Sequence, residues 1–272
     1  YSEEKRGLIF KGVLSEKNGK KFKISDEKTC FEVLEAVRKG KFEVDEIKRG
    51  KSFSSPPPPF TTSTLQQDAV SKLGLSSRTT MQIAQQLYEG VDIPGEGHTA
   101  LVTYIRTDSV RVADEAMAAA KAYILEKYGE KYVPAKYNIY KSKKDIQDAH
   151  EAIRPTDLTL SPAVVKESLQ RDQFRLYQLI WKRFVASQMA PAVYETTSVR
   201  IAAGEYIFTV AASKVMFDGF MSVYKNEDDA EATNTLAKGL DENSVLTLDD
   251  VNGIQHFTQP PAHFTEASLV KA

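Results

Sequence analysis

The sequence predicts an α+β protein of more than one domain, in which a helical domain is inserted into a β-rich one. Three observations carry this. Strand-like runs occupy the residues before Pro56 and those after Pro191, helical periodicity fills the interval, and the stiff run Pro56-Pro57-Pro58-Pro59 marks the first passage between them. Neither arm alone holds enough strands for a robust sheet, so pairing both arms into one is the economical solution. The expected division is 1–59 as the first β-rich arm, 60–190 as the helical domain, 191–258 as the second β-rich arm, and 259–272 as the start of a truncated helical domain.

With 272 residues, 42% of them hydrophobic, the chain can build two cores of ordinary size. No run of about 18 apolar residues could span a bilayer, so no membrane partner is expected. One cysteine, Cys30, excludes an internal disulfide framework, fits a reducing cytoplasm and is expected to be a small core residue. The 36 basic and 37 acidic residues give a net charge of -1, so any nucleic-acid contact must come from local patches. A start at Tyr1 and a last helix cut short predict a piece of a longer chain.

In the first arm, Leu8–Leu14 and Lys21–Ile24 read as strands around an Asn18-Gly19 hairpin turn, followed by a short helix near 29–38 and a strand over Phe42–Ile47. After the prolines, Ser63 with Gln66 has capping-box spacing for a helix that Gly74 ends. Ser77 is placed to cap a second helix carrying Met81, Ile83, Ala84, Leu87 and Tyr88. The pair reads as a helix-turn-helix unit, a common DNA-binding part and an equally common scaffold. Another long helix is expected over Arg171–Met189. Strands then follow at Tyr194–Ala202, Tyr206–Ala212, Met216–Tyr224 and Ser244–Leu248, with a loop over Glu227–Gly239.

Chemistry concentrates in Leu101–Ser109. If its first half is extended, Leu101, Thr103 and Ile105 share one face, and Val102, Tyr104 and Arg106 the other. A phenol can attack phosphorus and become an ester, and a guanidinium is a permanently charged fork matched to phosphate oxygens. Asp108 or Ser109 is expected to cap a long helix whose positive end favours an anion near Tyr104. The same pattern also describes a half-buried strand with a packing tyrosine. Two further clusters stand out. Tyr137, Tyr140, Lys141, Lys143 and Lys144 interleave aromatic and basic groups, as a single-strand-binding loop does. His150, Glu151 and Arg154 gather an imidazole, a carboxylate and a guanidinium just before Pro155.

Four stretches, in this order along the chain, resemble bacterial DNA topoisomerase I, a type IA topoisomerase: Phe60–Gln67, Tyr104–Ser109, His150–Thr156 and Pro260–Val270. The resemblance spans about residues 60 to 270, and the first arm joins it only loosely. It implies that Tyr104 attacks single-stranded DNA to form a 5′-phosphotyrosyl link and that Arg106 holds the scissile phosphate. It also implies that His150 and Asp108 form the hydrogen-bonded surround, while Arg154, with Glu151, braces the site or the DNA groove. Lys141, Lys143 and Lys144 are the further DNA-contact candidates. An ordinary phenol is ionised at only about one part in a thousand at pH 7, so such an attack needs assistance. The helical domain would crown an arch and the β-rich domain would be its hinge.

The departures matter as much. The family binds Mg²⁺ through an acidic Toprim domain with an Asp-x-Asp-x-Asp cluster, and that cluster is absent from these 272 residues. No metal ligand is therefore expected within the chain, and the partners implied are a single-stranded region of DNA and the Toprim and C-terminal domains of the same protein. His263 stands where the family has arginine. The chain alone is expected to be inactive. The rival class is a non-enzymatic helix-turn-helix nucleic-acid-binding module.

Overall fold

The computed structural model describes residues 10–140, 150–225 and 240–271, and the chain divides into two compact units. The first comprises Tyr1–Phe53, Val193–Phe217 and Asp228–Pro260, and the second Ser54–Ala192, Asp218–Glu227 and Pro261–Ala272.

The chain opens with β1 (Val13–Lys17) and β2 (Lys20–Lys21). They are joined through Asn18 and Gly19, whose φ values of 52° and 72° are those of a primed hairpin turn. Helix α1 (Glu27–Arg38) follows, capped by the Asp26 carboxylate on the Thr29 N–H, and then β3 (Phe42–Ser54), which runs well past the expected Ile47. In the second unit lie α2 (Thr62–Asp68), extended by a π-helical turn to Leu73, then α3 (Ser77–Glu89) and a small hairpin of β4 (Val91–Ile93) and β5 (Gly97–Thr99). They are followed by α4 (Asp114–Tyr128), α5 (Pro162–Val165) and α6 (Arg171–Ser187). The chain then supplies β6 (Ala192–Ala203), β7 (Tyr206–Phe217) and β8 (Val245–Leu246), and ends in α7 (Glu266–Lys271).

Among the described residues, the large sheet has the order β2-β1-β7-β6-β3-β8, and its recorded pairings are antiparallel. Strands from both arms thus share one sheet. The period of two decides its buried face: Phe42 and Val44 on β3 and Val199, Ile201 and Ala203 on β6 point into one core. Val33 and Val37, one helical turn apart on α1, close that core from above. Cys30 at the start of α1 is only half-buried rather than a core residue.

The helical unit is built around α6, whose Leu176, Tyr177, Ile180 and Phe184 are buried, with Trp181 edge-on to Tyr123 of α4. Beneath the proline run sits a polar cluster. Arg183 donates to the Pro58 carbonyl at 2.6 Å and lies over the Phe60 ring, while its other nitrogen reaches Asp68 and the Tyr224 hydroxyl. Lys72 joins the same carboxylate and hydroxyl.

Several local expectations are corrected. The capping box of α2 is formed by Thr61 and Thr64, two residues before Ser63, and Ser76 rather than Ser77 caps α3. The strand expected over Met216–Tyr224 ends at Phe217. Gly219 turns the chain there with φ 50°, and a Cβ would stand 2.6 Å from the Ala190 carbonyl oxygen. Most consequentially, no helix starts at Asp108 or Ser109, since α4 begins at Asp114. Thr107 Oγ1 accepts from the Ser109 N–H and Ser109 Oγ from the Arg111 N–H, side-chain turns that compete with helical backbone bonding. The loop over Glu227–Gly239 lies within 226–239, outside the described residues.

Candidate active site

Three separated stretches are sewn together around Tyr104. The Ile153 N–H donates to the Phe60 carbonyl at 2.8 Å, the Thr103 N–H to the Arg154 carbonyl at 2.9 Å and the Thr156 N–H to the Leu101 carbonyl at 3.1 Å. Single bridges pair Phe60 with Ile153 and Val102 with Pro155. The Tyr104 segment is therefore not a strand of a sheet but an extended chain held by matching backbone partners on two sides.

The start of α2 supplies one of those partners. Thr62 is the first residue of that helix, so its N–H has no intrahelical acceptor, and it donates instead to the Thr107 carbonyl at 2.9 Å. Its hydroxyl donates to the Ile105 carbonyl at 2.7 Å and accepts from the Thr107 N–H at 2.9 Å. The fourth stretch meets α2 and α3 from another side. Ser63 Oγ donates to the Val270 carbonyl, and Glu266 Oε1 accepts from the Ser77 N–H at 2.6 Å.

Alternation then sets the exposures. Leu101, Ile105, Thr107 and Ser109 are buried, while Tyr104, Arg106 and Asp108 stand out to solvent. Val102, expected beside Tyr104, is instead fully buried because the chain through Pro155 covers it. Tyr104 is 44% exposed. Its ring stacks on His150, with centroids 6.1 Å apart and planes 29° apart, and receives Tyr88 edge-on at 5.6 Å. Two aromatic rings thus fix the direction of one exposed phenol.

Arg106 lines a groove of about 1010 Å³ whose opposite wall is α3 and the start of α6. Asp108 follows on the same exposed side. Arg154 is largely covered, its Nε donating to Glu151 at 2.8 Å and its Nη1 to the Pro155 carbonyl at 2.9 Å, an arrangement suited to bracing the 150–156 segment. The three lysines 141, 143 and 144 lie outside the described residues. Of the tyrosines beside them, Tyr140 is taken up internally, its hydroxyl bonded to the Ser187 and Pro56 carbonyls, and burial raises its pKa. Tyr137 stays exposed near Lys121.

Two participants escape a reading of the sequence. Tyr88 looks like the last residue of the α3 apolar stripe, but the stripe runs out at that final turn and leaves the ring on Tyr104. Thr62 carries no signal beyond lying one residue inside a helix start. Among the described residues, no group of three or more His, Cys, Asp or Glu side chains gathers as a metal site.

The sequence matches the DNA topoisomerase family over residues 3–272. It is 44% identical over 256 residues to DNA topoisomerase 1 of Rickettsia felis, covering 92% of this chain and 33% of that protein. The fold is similar to full-length topoisomerase I from Thermotoga maritima, with a TM-score of 0.73 and 38% identity, covering 96% of this chain and 41% of that one. The chain therefore spans about a third of the length of the curated relative it matches. With three of its four sequence stretches joined around one exposed tyrosine, the chain belongs to the bacterial DNA topoisomerase I family, the type IA topoisomerases.

Proposed function

We propose that this chain carries the nucleophile and the gate hinge of a type IA topoisomerase that cleaves single-stranded DNA, passes a strand and religates to relax negative supercoils. The observation that carries the reading is the pairing of an exposed, ring-stacked Tyr104 with an exposed Arg106 on one stitched segment. Tyr104 Oη bonds to phosphorus as the phosphorus–O3′ bond breaks, the phenolic proton leaves to solvent or a base, and the 3′-oxygen takes a proton. Arg106 neutralises the charge growing on the phosphoryl oxygens. His150 holds the Tyr104 ring by stacking, Asp108 completes the exposed edge of the segment, and Arg154 with Glu151 keeps the 150–156 chain in place.

In this reading Mg²⁺ and the acid for O3′ belong to an acidic Toprim domain outside these residues. The helical domain is the lid of an arch inserted into a β-rich hinge, supported by a sheet whose strands come from both arms. Lys141, Lys143 and Lys144 remain candidates for backbone contact with DNA. The setting is the cytoplasm, and among the described residues no helix is long and apolar enough to cross a membrane.

The helix-turn-helix alternative is weaker. It would send the start of α3 into a major groove, but the Ser77 N–H at that start is held by the Glu266 carboxylate, a negative charge where phosphates would approach. Binding measurements with single- and double-stranded oligonucleotides at two salt concentrations separate the two readings. Single-strand preference without plasmid relaxation by the chain alone supports the proposal, and tight, steeply salt-dependent duplex binding overturns it.

A further inference from the structure

We propose that the groove between α3 and the start of α6 is a noncovalent subsite for the nucleotide next to the scissile phosphate, with guanidinium groups for its phosphate and carboxamides for its base. The inference rests on the reading of Tyr104 as the nucleophile and adds where the attached strand lies.

The groove is large, about 1010 Å³, and its lining is chemically uneven. Arg78, Gln82 and Gln86 recur every four residues along α3, which puts them in one row. Gln170 and Gln173 stand on the opposing side, and Arg106, two residues from Tyr104, belongs to the lining. Met81 adds apolar surface to the lining, and the face of a base can lie on such surface.

Carboxamides present a donor and an acceptor in one plane, the pattern that reads the edge of an unpaired base. Gln86 Oε1 accepts from Gln173 Nε2 at 2.9 Å, so one amide is already oriented by another. Gln82 and Arg78 are exposed along the row. The lining carboxylate, Asp172, is paired with Arg175 at 3.3 Å and so does not leave the groove negatively charged. Continuity with the site gives the groove its purpose. A phosphotyrosyl ester rotates about several single bonds, and religation needs that phosphate presented to the returning 3′-hydroxyl. A second hold on the adjoining nucleotide restricts those rotations and raises the effective concentration of the correct geometry.

Fluorescence anisotropy with a 3′-labelled, short single-stranded oligonucleotide tests this on the 272-residue chain. The chain, Gln82→Ala/Gln86→Ala, Arg78→Ala and Gln82→Glu are compared with Lys214→Ala in the other unit. The groove variants are expected to bind roughly tenfold more weakly, a loss of the size of one base or phosphate contact. Lys214→Ala is expected to stay within about twofold of the chain. Gln82→Glu keeps size at an exposed position, so its loss reports charge in the groove rather than unfolding. An abasic position in the oligonucleotide should weaken binding to the chain but not to the double glutamine variant. Unchanged affinity in all groove variants, or no binding by the chain itself, overturns the subsite. If Tyr104 forms its covalent adduct in the Toprim-joined chain while the groove variants bind normally, the subsite alone is wrong. If binding depends on the groove and Tyr104 forms no adduct once the chain is joined to a magnesium-binding Toprim domain, the subsite stands and the nucleophile is wrong.

Discussion

Thr62 and Thr107 hold each other twice: the Thr62 N–H donates to the Thr107 carbonyl, and the Thr107 N–H donates to the Thr62 hydroxyl, both at 2.9 Å. Through this pair the start of α2 fixes the chain on the far side of Arg106, while the 150–156 segment fixes it before Tyr104. Thr62→Val keeps the shape and deletes the hydroxyl, leaving the Ile105 carbonyl and the Thr107 N–H short of a partner. Chemical denaturation should show a loss of about 1–3 kcal/mol.

His150 touches Tyr104 through its ring face, so His150→Ala removes an orienting surface without opening a core. A stacked pair is worth about 0.5–1.5 kcal/mol, and covalent trapping of DNA by the reconstituted enzyme should slow about three- to tenfold while the melting temperature hardly moves. An equal fall in melting temperature would make His150 a structural residue instead.

Arg183→Met tests the polar cluster beneath the proline run. The change strips the Pro58 carbonyl of its donor and removes one of two cations from Asp68, though Lys72 remains. Breaking a buried pair costs about 3–5 kcal/mol, and the remaining lysine argues for the low end. Tyr224→Phe, which deletes only the hydroxyl, should cost about 1–2 kcal/mol in the same denaturation series.

Burial is the leading cause raising the pKa of Tyr140, Tyr177 and Tyr224. Their folded values lie above the ordinary 10.0, so the stability they contribute is complete below pH 10 and lost as pH rises beyond it. Melting temperature should fall progressively in that alkaline range, and phenolate absorbance from these residues should grow only with unfolding. Phenolate absorbance for all three at pH 10 in the folded chain would contradict the assignment.

What could be read from the sequence follows the range of the forces involved. The hairpin at Asn18-Gly19, helix α1, the end of α2's π-turn at Gly74 and the buried face of α6 are local patterns, and they stand where their residues put them. So does the placing of Tyr104 and Arg106 on the side opposite Ile105. The start of α4 was not legible, because the choice between a cap at Asp108 and a turn is made by the Thr107 and Ser109 hydroxyls once the 150–156 segment holds Arg111. Tyr88, Thr62 and the glutamine-lined groove depend on contacts between residues far apart in the chain, which periodicity does not encode.

The most direct measurement joins the chain to a magnesium-binding Toprim domain and offers it a 3′-labelled single-stranded oligonucleotide, with label retained by denatured protein as the readout. The account predicts a covalent adduct that mass spectrometry locates on Tyr104 and that Tyr104→Phe abolishes. An adduct of undiminished yield in Tyr104→Phe would contradict it.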